Sequence, residues 1–124
     1  MKNDISTIED IKLLVNTFYS KVNEDELLSK VFNEQVGVDW EKHLPKMYNF
    51  WSTILLGTMS YEGQPFPHHM KLGINEKHFE RWQALFMQTV KDNFSRATAD
   101  MAMERAKNIA TIFQYKLGLK PTEI

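Results

Sequence analysis

Apolar residues recur every three or four positions along four stretches of this sequence, and this spacing restricts the folds that the chain can adopt. In an α-helix such a period places the apolar side chains on one face, where they can be buried together. No stretch shows the alternation of apolar and polar residues that a half-buried β-strand requires. The sequence therefore predicts an all-α fold with four main helices, whose apolar positions start at Ile8, Trp40, Phe79 and Ala102.

The ends of these helices are predicted from residues that favour helix termini. Ser6 and Glu9 have the spacing of a capping box before the first helix. Asn75 can cap the third helix and Thr98 the last, since both side chains accept hydrogen bonds from free backbone N–H groups. Gly118 would end the last helix, because glycine readily adopts the left-handed conformation found there.

Proline and glycine interrupt the pattern in the middle of the chain. Pro45 lies inside the second helix, which should therefore start late or bend there. Residues 57–74 contain three of the five glycines and two of the four prolines, so this segment is predicted to be mostly loop, with a single helical turn at residues 68–72. A shorter apolar stretch at residues 27–32 predicts one or two further turns.

Length and charge narrow the class of protein. The 124 residues suit a single domain spanning residues 1–124. A formal net charge of −1 creates no overall field that would recruit nucleic acid or an anionic membrane. The N-terminus lacks the apolar run of a signal peptide, and no segment approaches the roughly 20 apolar residues of a membrane span. We therefore expect a soluble cytoplasmic protein with no nucleic-acid or membrane partner.

The chain has no cysteine, which leaves its four histidines as the main candidate metal ligands: His43, His68, His69 and His78. None of them follows a glutamate by three positions, as the ligands of a di-iron carboxylate bundle do. His68 and His69 would point about 100° apart on a helix, so they do not chelate one ion together. Motifs for zinc proteases, phosphate-binding loops and serine hydrolases are also absent from the sequence.

A haem site needs three features that this sequence can supply. They are one neutral imidazole on a short segment, an apolar slot for the porphyrin, and a few hydrogen-bond donors on the face of the porphyrin opposite the imidazole. His69 meets the first requirement. Tyr19, beside Phe18, and Trp82 carry the O–H and N–H groups that can stabilise a gaseous ligand gaining negative charge. The same apolar side chains would also serve as an ordinary core. The candidate slot residues are Met47, Phe50, Phe66, Leu72, Phe79 and Trp82.

Five short motifs in this order connect the chain to a known family. They are Phe18-Tyr19, His43-Leu44-Pro45 with Met47 and Phe50-Trp51, Tyr61-x-Gly63-x-Pro65-Phe66, His69-x-x-Leu72, and His78-Phe79-x-x-Trp82. In combination they resemble the truncated haemoglobins of the third, or P, group over nearly the whole chain. The resemblance implies a truncated globin fold, a two-over-two helical sandwich that holds a b-type haem between its helix pairs.

The resemblance also implies roles for individual residues. His69 would be the proximal iron ligand, although the adjacent His68 stays an alternative. Tyr19 and Trp82 would match the distal residues that contact the ligand, His43 would match the distal histidine that gates access, and Met47 would roof the iron.

Two hypotheses of function follow. In the first, the chain binds oxygen, nitric oxide and carbon monoxide at haem b, with a nitric oxide dioxygenase activity supported by a reductase, or a peroxidase-like activity. In the second, it is a haem-free four-helix interaction module whose histidines and aromatic residues are structural.

Overall fold

The computed structural model describes residues 2–35, 37–58 and 74–118, and within these ranges the regular structure is helical. The short apolar stretch predicted to form one or two turns consists of a short α-helix and a π-helical turn. No helix within the described ranges is long and apolar enough to span a membrane. The elements are α1 (Ile8–Glu24), α2 (Glu26–Ser29), a π-helical turn (Lys30–Gln35), α3 (Trp40–Leu56), α4 (Glu76–Asn93) and α5 (Ala97–Lys116).

Helix α1 begins one residue later than the predicted capping box implied. Thr7 is the N-cap, and its side chain accepts a hydrogen bond from the Asp10 backbone N–H at 3.2 Å. The Asp10 carboxylate in turn accepts the backbone N–H groups of Ser6 and Thr7 at 3.0 and 3.1 Å. The predicted Ser6 and Glu9 box was therefore wrong by one position. Ser6 and Thr7 can each act as an N-cap, with Glu9 or Asp10 three positions later. The structure uses the pair Thr7 and Asp10.

Helix α5 is capped from the other end of the chain. The carboxylate of Asp4 accepts the backbone N–H of Thr98 at 3.0 Å and that of Ala99 at 2.8 Å. The N-cap position is Arg96, which has a φ of 84° and makes no side-chain cap hydrogen bond. The predicted cap by Thr98 was therefore wrong. Asp4 satisfies the free N–H groups at the α5 N-terminus, which also favours a negative charge.

We expect the Asp4→Ala variant to lose about 1 kcal/mol of unfolding free energy at pH 7, the usual cost of removing a capping side chain. Burial would raise the pKa of Asp4, but hydrogen bonds from Thr98, Ala99 and Ile5 outweigh it and lower the pKa below 3.8. The stabilisation is thus fully present above pH 3.8 and is lost as the pH falls through the lowered value. Urea unfolding of the two proteins across this range should show their difference shrinking.

Asp39→Ala is the matched control for this prediction, because Asp39 occupies the N-cap of α3 without making a side-chain cap hydrogen bond. Its removal should cost less than the removal of Asp4. Equal losses in the two variants, or a loss in Asp4→Ala that does not change with pH, would contradict the capping role of Asp4.

Helix α3 runs through Pro45 from Trp40, so the predicted late start was wrong. Pro45 lies in the second turn, where its missing N–H deprives only the Glu41 carbonyl of an intrahelical partner. The predicted Asn75 cap of α4 is confirmed, because the Asn75 side chain accepts the Lys77 backbone N–H at 2.9 Å.

The helices form two layers around an aromatic core. Helix α1 packs on α3 and α4, and α4 packs on α5. Phe86 of α4 is fully buried, stacks on Trp51 of α3 at 4.8 Å, and meets Phe18 of α1 edge-on at 5.2 Å. Four of the five buried residues of α5 are alanines: Ala99, Ala102, Ala106 and Ala110. Their small side chains let α5 pack closely on α4.

Candidate functional site

A mainly apolar pocket lies between the two layers, and α1 to α5 and the π-helical turn all contribute to it. Six residues predicted from the sequence line it together: Tyr19, His43, Met47, Phe50, Phe79 and Trp82. They come from three helices and are separated by up to 63 positions, so the fold brings distant parts of the chain to one place. The other predicted site residues, Phe66, His69 and Leu72, lie outside the described residues, as does His68.

The Tyr19 side chain brings a hydroxyl group to the pocket. The side chain is buried, with 7% of its surface exposed. Its ring packs against Phe18 at 4.9 Å and against Trp40 and His43 at 5.3 Å each. Burial raises the pKa of Tyr19 far above its ordinary value, so the hydroxyl keeps its proton. A protonated hydroxyl in a mainly apolar pocket favours a ligand that can accept its hydrogen bond.

The His43 imidazole is a second polar group in the lining of the pocket. Its Nε2 atom is buried and forms no hydrogen bond within the part of the chain that the structure describes. Burial, with a smaller effect from the positive charge of Lys46, lowers the pKa of His43 below its ordinary value. The ring is therefore neutral at pH 7. Because a buried polar atom without a partner is costly, this arrangement also fits a pocket that receives a ligand.

Trp82 and His78 lie on the α4 side of the pocket. The Trp82 ring stacks on Phe86 at 5.8 Å and meets Phe18 edge-on at 5.7 Å, which fixes the indole plane. His78 Nδ1 lies 3.1 Å from the Asn75 backbone nitrogen, whose N–H it accepts at the start of α4. Burial lowers the pKa of His78 below its ordinary value.

Sequence reasoning missed several lining residues. Three belong to the short segment after α1, where the apolar spacing was visible but too short to show which face turns inward. Ile109 and Phe113 continue the apolar spacing that starts at Ala102 on α5, but nothing in this spacing separates a pocket wall from a core. The missed residues with the clearest apolar character are Leu28, Val31, Phe32, Ile74, Ile109 and Phe113.

Comparison with known proteins accounts for this arrangement. A family model of bacterial-like globins matches residues 3–115. The chain is also 34% identical over 125 residues to the group 3 truncated hemoglobin ctb of Campylobacter jejuni, with 95% of this chain and 98% of that protein covered. The chain belongs to the group III truncated haemoglobins. The predicted family is therefore confirmed.

A solved structure supports the fold of this truncated haemoglobin. The crystal structure of the group III truncated hemoglobin from Campylobacter jejuni superposes with a TM-score of 0.82 at 35% identity, covering 94% of this chain and 95% of that chain. The predicted truncated globin fold is thereby confirmed. Family membership makes the chain a haem-binding globin. The mainly apolar lining, the buried Tyr19 side chain and the His43 Nε2 atom, which has no hydrogen-bond partner among the described residues, fit such a cofactor with a small ligand beside it.

Proposed function

We propose that this truncated haemoglobin binds one haem b through His69 and retains a diatomic gas beside the neutral side chains of Tyr19, Trp82 and His43. The observation that carries the proposal is the buried Tyr19 side chain beside the buried His43 Nε2 atom, which has no hydrogen-bond partner within the described residues, in a mainly apolar pocket. Haem, when bound, supplies an iron that coordinates oxygen, nitric oxide or carbon monoxide. The b type is favoured because a chain without cysteine has no thiol to attach haem covalently.

Each pocket residue has a separate task in this proposal. Tyr19 donates a hydrogen bond from its hydroxyl to a ligand that carries partial negative charge, and the Trp82 indole N–H is the second donor. His43, which is neutral, lies beside Tyr19 and controls access to the pocket. Met47, Phe50 and Phe79 exclude water, so that both donors act in a medium of low dielectric constant. His69 would hold the haem iron and would have to be neutral to do so.

Two donors around one small ligand favour slow release over rapid delivery. Slow release suits an enzyme or a sensor, since a carrier must give up its ligand readily. We propose nitric oxide dioxygenation, in which nitric oxide, oxygen and one electron from a reductase combine to give nitrate. A peroxidase-like activity would use the same donors. The predicted alternative of a haem-free module has less support, because the chain belongs to a globin family.

Titration of haemin into the haem-free chain tests the proposal. We expect saturation at one haem per chain, a Soret band that shifts when the reduced protein is given carbon monoxide, and complete extraction of the pigment into acidic butanone. Haem that stays with the chain during extraction would contradict the non-covalent b type. A chain that remains colourless, while its circular dichroism shows folded helices, would leave the four-helix module as the better hypothesis.

A further inference from the structure

A chain of hydrogen bonds fastens Trp40 at the edge of the pocket. The Trp40 indole Nε1–H donates to Asn33 Oδ1 at 2.8 Å, and the Asn33 amide donates to Asn23 Oδ1 at 2.8 Å. Asn23 belongs to α1, Asn33 to the π-helical turn, and Trp40 is the first residue of α3. We call these three residues the Trp40 latch. The latch joins three elements of the fold at one point beside the site.

The latched indole contacts the rings that matter for the proposed function. Trp40 is stacked on Phe32 at 5.8 Å with an interplanar angle of 29°. Its ring also lies 5.3 Å from the Tyr19 ring and 5.6 Å from the His43 ring. Trp40 and His43 are three positions apart on α3 and therefore lie on neighbouring parts of one helix face. Any movement of the indole would change the surroundings of both polar pocket residues.

His43 needs such support because its buried Nε2 atom has no hydrogen-bond partner within the described ranges. The ring meets Tyr19 edge-on at 81° and Trp40 edge-on at 80°. A buried polar atom without a partner gains free energy by turning toward water. Ring contacts with Tyr19 and Trp40 oppose that movement. Trp40 is in turn held by the hydrogen bond from its indole N–H to Asn33.

We propose that Trp40 is a positioning residue, which through the latch holds the His43 ring inside the pocket and so limits the rate at which gases reach it. The effect on gas binding rests on the proposed function, whereas the effect on the His43 ring does not require haem. Trp40 does not line the pocket, so it acts through His43. The latch thus gives Asn23 and Asn33, which are remote from the ligand, a part in controlling access.

The haem-free protein tests the positioning of His43 directly. Trp40→Phe keeps an aromatic ring but removes the indole N–H, and Asn33→Ala removes its acceptor. We expect both variants to shift or broaden the ring resonances of His43 in NMR spectra, with the signals assigned from a His43→Gln variant. Tyr48→Phe is the matched control, because it removes a different hydrogen bond between α3 and α1, the one from Tyr48 to Asn16. His43 signals that respond no more to Trp40→Phe and Asn33→Ala than to Tyr48→Phe would overturn the proposal.

Carbon monoxide rebinding after flash photolysis tests the consequence for gas access. We expect association to become about five-fold faster in Trp40→Phe and Asn33→Ala, the factor that corresponds to one ordinary hydrogen bond. In a His43→Leu background, Trp40→Phe should add no further change, because it acts through His43. An effect of the same size in that background would overturn the positioning role. A protein that takes up no haem would defeat the proposed function, and the NMR comparison would still decide the latch.

Discussion

Replacing Tyr19 and Trp82 together by phenylalanine is expected to speed oxygen dissociation by more than about a hundredfold. A hydrogen bond to a charged acceptor contributes about 1.5 to 3 kcal/mol, so each single replacement should give at least about a tenfold effect. Phenylalanine keeps an aromatic ring at each position while removing the donor. The rate can be measured by stopped-flow mixing of the oxygenated protein with excess carbon monoxide.

The structure offers reasons to expect large effects from these two residues. The Tyr19 side chain is buried and its hydroxyl stays protonated, so it can donate a hydrogen bond to a ligand in the pocket. The Trp82 ring is held between Phe18 and Phe86, and a fixed donor needs little reorganisation to act. Tyr115→Phe, at a tyrosine that is 67% exposed on α5, is the control and should leave the rate unchanged. Unchanged rates in both pocket variants would remove this mechanism.

Replacing His69 by glycine is expected to lower haem affinity by more than about a hundredfold. Removing a residue that only orients a metal ligand lowers metal affinity by about 10- to 100-fold. His69 is proposed to bind the iron itself, so its removal should have a larger effect. Haem titration of the two proteins, followed at the Soret band, measures the change. His68→Gly is the matched control, since it removes the neighbouring imidazole from the same segment and should retain nearly normal affinity.

Much of the fold could be predicted because apolar periodicity reports directly on which helix faces are buried. Val15 and Phe18 continue the apolar spacing that starts at Ile8, Phe86 and Val90 continue the one that starts at Phe79, and all four are at most 2% exposed. The cap of α5 could not be predicted in this way. Asp4 precedes the residues whose N–H groups it binds by 94 and 95 positions. Patterns within a short stretch of sequence cannot predict a contact between residues so far apart in the chain. The Thr98 prediction failed because it considered only neighbours in the sequence.

The candidate site was predictable where residue chemistry is unusual and unpredictable where it is ordinary. Tyr19 and Trp82 were singled out as hydrogen-bond donors and His43 as a candidate metal ligand, and all three match motifs of the family. Leu28, Val31 and Phe113 are common core residues, and only the fold shows that they line the pocket. The sequence also gave no indication that Trp40 is tied to Asn33, because this contact depends on how the π-helical turn meets α3.

The central claim is that haem is bound through His69, and rescue of His69→Gly by free imidazole tests it most directly. Absorption spectra of the wild-type protein and of this variant should be recorded oxidised, reduced, and reduced with carbon monoxide. The proposal predicts that the variant loses haem or shows an altered spectrum, and that added imidazole restores the wild-type Soret band. A variant that keeps its haem and its wild-type spectrum without imidazole would contradict the claim and would assign the axial ligand to His68 or His43.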